Sequence, residues 1–198
     1  MATLSKTAAL LALALAAGFG ASQVLAASQV LAASKPAAQK TATQTISTLD
    51  GKFSFNLPKS YLADPLPAGD AEHGTAGATG TMYSDQATKS VIFVVEKPSA
   101  AGLIKDNDPQ FLDGAVADFV KEQSAALPDF KKGAEKKLTV KGLALRQVDS
   151  TATMGGGKTL SSTFLTGSGS HQLVVQAISR ADDEKGHALL VKQIISGK

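Results

Sequence analysis

From Lys52 to Leu57, the apolar Phe53, Phe55 and Leu57 alternate with Lys52, Ser54 and Asn56, the period of a strand with one buried face. A short strand at Thr45-Ile46-Ser47 precedes it, and Asp50-Gly51 supplies the turn between them. Pro58 stops the run. From Leu62 to Gly80 the chain carries Pro65, Pro67, Gly69, Gly74 and Gly77, the composition of a long loop. A strand is expected at Thr81 to Ser84. Val91-Ile92-Phe93-Val94-Val95 then offers apolar side chains to both faces, so Ser90 to Glu96 predicts a central strand covered on both sides.

The period changes after Asp108-Pro109, an N-cap followed by a proline at the first helical position. Phe111, Leu112, Ala115, Val116, Phe119 and Val120 fall on one face of a helix that Leu127-Pro128 closes. Four extended segments follow, at about Ala134 to Val140, Ala144 to Thr153, Thr159 to Thr166 and His171 to Ser179. Lys141-Gly142, Gly155-Gly156-Gly157 and Gly167-Ser168-Gly169-Ser170 join them as turns between antiparallel neighbours. Ser179-Arg180-Ala181-Asp182 reads as a capping box before a last helix with Val191, Ile194 and Ile195 on its buried side. Strands, helix, consecutive strands and helix, in that order, give an α+β fold: an antiparallel β-sheet flanked by helices. A doubly wound nucleotide fold would alternate strands and helices instead.

The N-terminus has a different pattern. Lys6 precedes the apolar run Ala8 to Ala17, which is too short to span a bilayer, and small residues follow it. This is the pattern of a secretory signal. The string A-S-Q-V-L-A occurs twice, at 21–26 and 27–32, and offers two cleavage sites. Residues 1–32 are therefore expected to be a signal peptide, with an alternative cut after Ala26, and residues 33–45 a flexible linker. The domain is then 46–198, periplasmic and soluble, with no transmembrane span after processing. The 198-residue chain has no Cys, which excludes disulfides, thiolate metal sites, thiol nucleophiles and a lipid-modified N-terminus. Its charge is +3, and Arg146 and Arg180 are its only arginines, so nothing points to nucleic acid.

Candidate chemistry is sparse. Gly155-Gly156-Gly157-Lys158-Thr159 resembles a phosphate-binding loop, but a strand-like segment follows where that motif needs a helix. Asp106-Asn107-Asp108 resembles the start of a calcium loop, but Phe111 stands where the loop needs Gly, so a helix cap is the better reading. Arg146 and Asp149 differ by an odd number along one predicted strand and face opposite sides. His187 is expected to line the buried edge of the last helix. No G-x-S-x-G is present, and no catalytic, cofactor-binding or metal-ligating residue is assigned. The candidate contact element is the long loop, through Pro65, Pro67, Asp70, Glu72 and His73, because loops on rigid scaffolds carry recognition.

Thr48-Leu49-Asp50-Gly51-Lys52-Phe53-Ser54-Phe55-Asn56-Leu57-Pro58 is similar to the L-D-G-K-x-S-F-x-L-P opening of DcrB-type envelope proteins. Lys141-Gly142 ahead of Leu145-Arg146-Gln147-Val148-Asp149-Ser150 resembles their second signature, and Ala181-Asp182-Asp183 with Ile194-Ile195 their last helix. The resemblance runs in order from Ile46 onward. It implies a PsbP-like α/β/α sandwich in a periplasmic protein linked to the Gram-negative envelope and to adsorption of certain phages. It supplies no catalytic motif. Family members carry a lipoprotein Cys after the signal, and this chain departs from them there. The expectation is a non-catalytic accessory protein with an envelope protein as partner and no cofactor. The alternatives are a periplasmic protein binding a small ligand or metal through Asp70, Glu72 and His73, and a chaperone for an exported client.

Overall fold

The computed structural model describes residues 42–72, 75–100 and 102–197. The expected signal segment, most of the linker and His73 lie outside them. In chain order the elements are β1 (Thr43–Thr48), β2 (Phe53–Pro58), β3 (Leu62–Pro65), β4 (Thr79–Asp85), β5 (Ser90–Pro98), α1 (Pro109–Ala126), β6 (Lys131–Val140), β7 (Leu143–Met154), β8 (Gly157–Ser168), β9 (His171–Arg180) and α2 (Glu184–Ser196). A single 3-10 turn, Leu49–Gly51, links β1 to β2.

Seven strands form one antiparallel sheet in the order β3-β4-β5-β9-β8-β7-β6, and β1 pairs only with β2. The four consecutive segments from β6 to β9 are neighbours through tight turns. β5 lies between β4 and β9, as its two apolar faces require. On one face of the sheet, Phe53, Phe55 and Leu57 of β2 and Leu190 and Ile194 of α2 pack on Ile92, Val94, Phe164 and Val175. On the other, Val116 and Phe119 of α1 pack on Val148 and Leu165. Side chains alternate across a strand, so Phe164 and Leu165 serve the two layers in turn. The helices flank the sheet as the element order predicts, and the β1-β2 hairpin joins α2 as cover.

The structure corrects three sequence readings. Thr43 to Thr45, read as the end of the linker, open β1 and pair with Pro58, Leu57 and Asn56. Leu62 to Pro65 is an edge strand, not loop: it pairs Leu62 with Ser84 through to Pro65 with Thr81. Pro65 is tolerated at the end of an edge strand, where no ladder hydrogen bond is lost. Nor do Ser179 to Asp182 cap the last helix. β9 continues to Arg180, which pairs with Thr159, and Asp183 is the N-cap, accepting from the Gly186 N–H at 2.9 Å. The ladder with β8 satisfies more backbone groups than an earlier helix start would, and Ser179 turns its hydroxyl to His187 instead.

Candidate functional site

The candidate contact element is the loop between β3 and β4. Its backbone is pinned across its base: Leu66 N–H donates to Gly80 O, Gly69 N–H to Ala78 O, and Thr75 N–H to Asp70 O at 2.8 Å. The Thr75 hydroxyl accepts from the Asp70 N–H at 3.0 Å. Gly69 is required here, because a Cβ on it would stand 1.9 Å from the Thr75 carbonyl oxygen. Pro65, Pro67, Asp70 and Glu72 are all exposed on this frame. Beside it lies a recess of about 320 Å³ bounded by Thr75 and Ala78, by Phe111 and Phe119 of α1, and by Val95 and Val174 of the sheet. Its apolar floor meets a rim with Lys97, Asp118 and Glu122.

A second constellation, which sequence reading did not assemble, lies on the opposite face under α2. Asp149 of β7 stands directly across from Ser162 of β8. Asp149 Oδ1 accepts from Ser162 Oγ at 2.7 Å and from Gln147 Nε2 at 2.6 Å, and Oδ2 accepts from Lys136 Nζ at 2.9 Å. Ser162 Oγ also lies 3.0 Å from His187 Nε2, and His187 Nδ1 lies 3.1 Å from Ser179 Oγ. Burial opposes ionisation of Asp149, but the hydrogen bonds from Gln147, Lys136 and Ser162 outweigh it and hold the carboxyl below its usual range. Burial pushes the His187 imidazole below its usual value, against the opposing pull of the Asp149 and Asp183 carboxylates.

These directions assign the protons. Asp149 is an anion and accepts the Ser162 hydroxyl proton. Ser162 therefore accepts from a protonated Nε2, and Nδ1 accepts from Ser179. A hydrolytic triad runs the other way, with the carboxylate on the histidine and the serine proton offered to the imidazole. If Ser162 turned its proton to His187, two acceptor oxygens would face each other at the Asp149 contact.

The pH dependence of stability follows from the same histidine. Between its folded value and the unfolded value of about 6.5, the unfolded chain binds a proton that the folded chain refuses. The His187 contribution to stability is therefore full above about pH 6.5 and declines as pH falls from there toward its folded value. Urea midpoints at pH 7.5 and in mildly acid buffer should show this decline, and His187→Gln should flatten it.

The motif-like strings resolve into local structure. Gly155 and Gly156, at φ 58° and 79°, form the two-residue turn between β7 and β8, with Met154 opposite Gly157. Lys158 is exposed and pairs with Asp129 at 3.3 Å. Asp129 is held down at about 2 mainly by the Thr153 hydroxyl and N–H. Lys158→Ala should therefore leave stability within about 0.5 kcal/mol. ATP should produce no rise in Tm, where a ligand at 100 times its Kd would add about 2.7 kcal/mol. Asp106 pairs with Lys52 at 2.8 Å, the Asn107 side-chain Oδ1 accepts from the Ala144 N–H, and the Asp108 carboxylate caps α1 by accepting from the Gln110 and Phe111 N–H groups. Arg146 and Asp149 do face opposite ways, Arg146 to Asp113 of α1 and Asp149 to Lys136. Among the described residues, no three His, Asp or Glu side chains gather closely enough to hold a metal ion, and no helix is long and apolar enough to cross a membrane.

No family model and no curated protein matches the chain. The solution structure of the cyanobacterial PsbP protein CyanoP from Synechocystis sp. PCC 6803 aligns with it at TM-score 0.55 and 11% identity, over 83% of this chain and 96% of that one. PA94 of Pseudomonas aeruginosa, a protein of unknown function described as a putative regulator, aligns at TM-score 0.46 and 14% identity, over 79% and 95%. LpqN of Mycobacterium tuberculosis, involved in cell envelope biogenesis, aligns at TM-score 0.40 and 15% identity, over 80% and 83%. The CyanoP alignment shows that the fold is PsbP-like.

Proposed function

We propose that this chain is a non-catalytic accessory protein of the cell envelope that acts by holding a protein partner, as its resemblance to DcrB-type proteins implies. The observation that carries the reading is the loop hydrogen-bonded across its base: Pro67, Asp70 and Glu72, with Pro65 at the end of β3, stand exposed beside an apolar recess with a charged rim. A preformed surface of this kind binds with little ordering cost. The signal-like N-terminus supports an exported location. The Ser162 proton is directed at the Asp149 carboxylate, whose lowered pKa makes it too weak a base to take that proton, and this supports binding over hydrolysis. The same resemblance extends the role to phage adsorption.

Site-directed photo-crosslinking in living cells tests the reading. A photoreactive residue at exposed Glu72 should give one discrete envelope adduct, and one at exposed Lys192 on α2 should give none. Equal yields from both positions, or no adduct at Glu72, contradict it.

A further inference from the structure

The groove between α2 and the β6 edge is independent of the loop. It is an open groove of about 450 Å³, a volume within the roughly 300–1,000 Å³ typical of small-molecule sites. Its floor is β7 and β8, and its walls are α2 and β6. We propose that it binds a small amphiphile with an anionic head, a carboxylate or phosphate on an alkyl body.

The first support is a β-bulge. β6 pairs Lys131 with Thr151 and Lys136 with Gln147, with the register shifting between Lys132 and Glu135. Lys131 and Lys136 differ by an odd number, so a regular strand would send them to opposite faces. The extra residue of the bulge inverts the alternation and turns both toward the face that carries Asp149. Bulges commonly re-aim side chains beside sites. Gly133 makes this one possible, since a Cβ there would already come within 3.1 Å of the Asp149 carbonyl oxygen.

The second support is the balance of hydrogen-bonding capacity. Both Asp149 oxygens are engaged, by Ser162, Gln147 and Lys136, so the groove offers a cation no open carboxylate. Lys136 gives one bond to Asp149 and retains further N–H donors, because an ammonium carries three. Lys131 is exposed and faces the same groove. What remains is donor capacity and positive charge, which suits an anion. The third support is an apolar strip, with half-buried Leu160 on the floor and half-buried Val191 beside Ala188 on the α2 wall, which suits an alkyl chain.

The test is titration of the purified protein with decanoate, decyl phosphate and decanol, followed by amide shifts in two-dimensional NMR. Decanoate or decyl phosphate should bind saturably, shifting Leu160, Ser162 and Val191, and the tighter of the two identifies the head group. Decanol and Lys131→Glu should each weaken binding roughly tenfold or more, the loss expected when a charge-assisted bond is removed. Lys137→Glu is the control: Lys137 lies opposite Arg146, on the other face, and should bind like the wild type. No saturable binding, equal loss in the two lysine variants, or shifts confined to other residues would overturn the proposal.

Discussion

Phe164→Ala is expected to destabilise the protein by roughly 3–5 kcal/mol, through the lost transfer energy of the ring and the cavity it leaves. Phe164 is fully buried in β8, with a strand on either side, and packs in the layer shared by β2 and α2. Neighbours fixed in a sheet collapse little into a void, so the upper part of the range applies. That is a large share of the roughly 5–15 kcal/mol that a domain has in total. Urea unfolding followed by circular dichroism measures it. A loss under about 1 kcal/mol would mean that the hairpin and α2 do not pack as one layer on the sheet.

Asp113→Ala should have the next largest effect, on the order of 2–3 kcal/mol. The Arg146 guanidinium is buried under α1 with a side-chain exposure of 5%, and its Nε and Nη2 both donate to Asp113 Oδ1, at 3.0 and 2.7 Å. Removing the carboxylate leaves a desolvated cation. The more exposed position of Asp113 lets water reach the pair and keeps the cost below that of a fully buried one. Adding Arg146→Met to Asp113→Ala should recover much of the loss, because the uncompensated charge goes with it. A double variant no more stable than Asp113→Ala alone would show that the ion pair is not the source of the effect.

Much of the fold was legible because its periods are clean. Phe53, Phe55 and Leu57 alternate, Val91 to Val95 is apolar throughout, and Leu112, Val116 and Phe119 recur at helical spacing. β3 was hidden because Ala63, Asp64 and Pro65 have little strand propensity, and the pairing with β4 decides the matter. The start of α2 was misplaced because local capping chemistry at Ser179 competed with a ladder that only the sheet reveals. The Asp149–Ser162–His187 line has no local spacing to find. Half of it was nevertheless within reach: a two-residue turn at Gly155-Gly156 pairs each residue with its mirror image, and Asp149 with Ser162 is one such pair. His187 joins them only through the packing of α2. Of the expected contact residues, Pro65, Pro67, Asp70 and Glu72 stand exposed on the loop frame, and His73 is outside the described residues.

The reading as a binding protein separates most directly from a catalytic one when both surfaces are disabled in turn and the envelope adduct from Glu72 is quantified in cells. Ser162→Ala with His187→Gln removes the hydroxyl and the imidazole under α2 and leaves the loop alone. Gly69→Ala drives a Cβ into the Thr75 carbonyl and disrupts the loop frame. The account predicts an undiminished adduct in the Ser162/His187 variant and loss of the adduct in Gly69→Ala, with circular dichroism of both confirming a folded sheet. An adduct that disappears with Ser162 and His187 and survives in Gly69→Ala would contradict it.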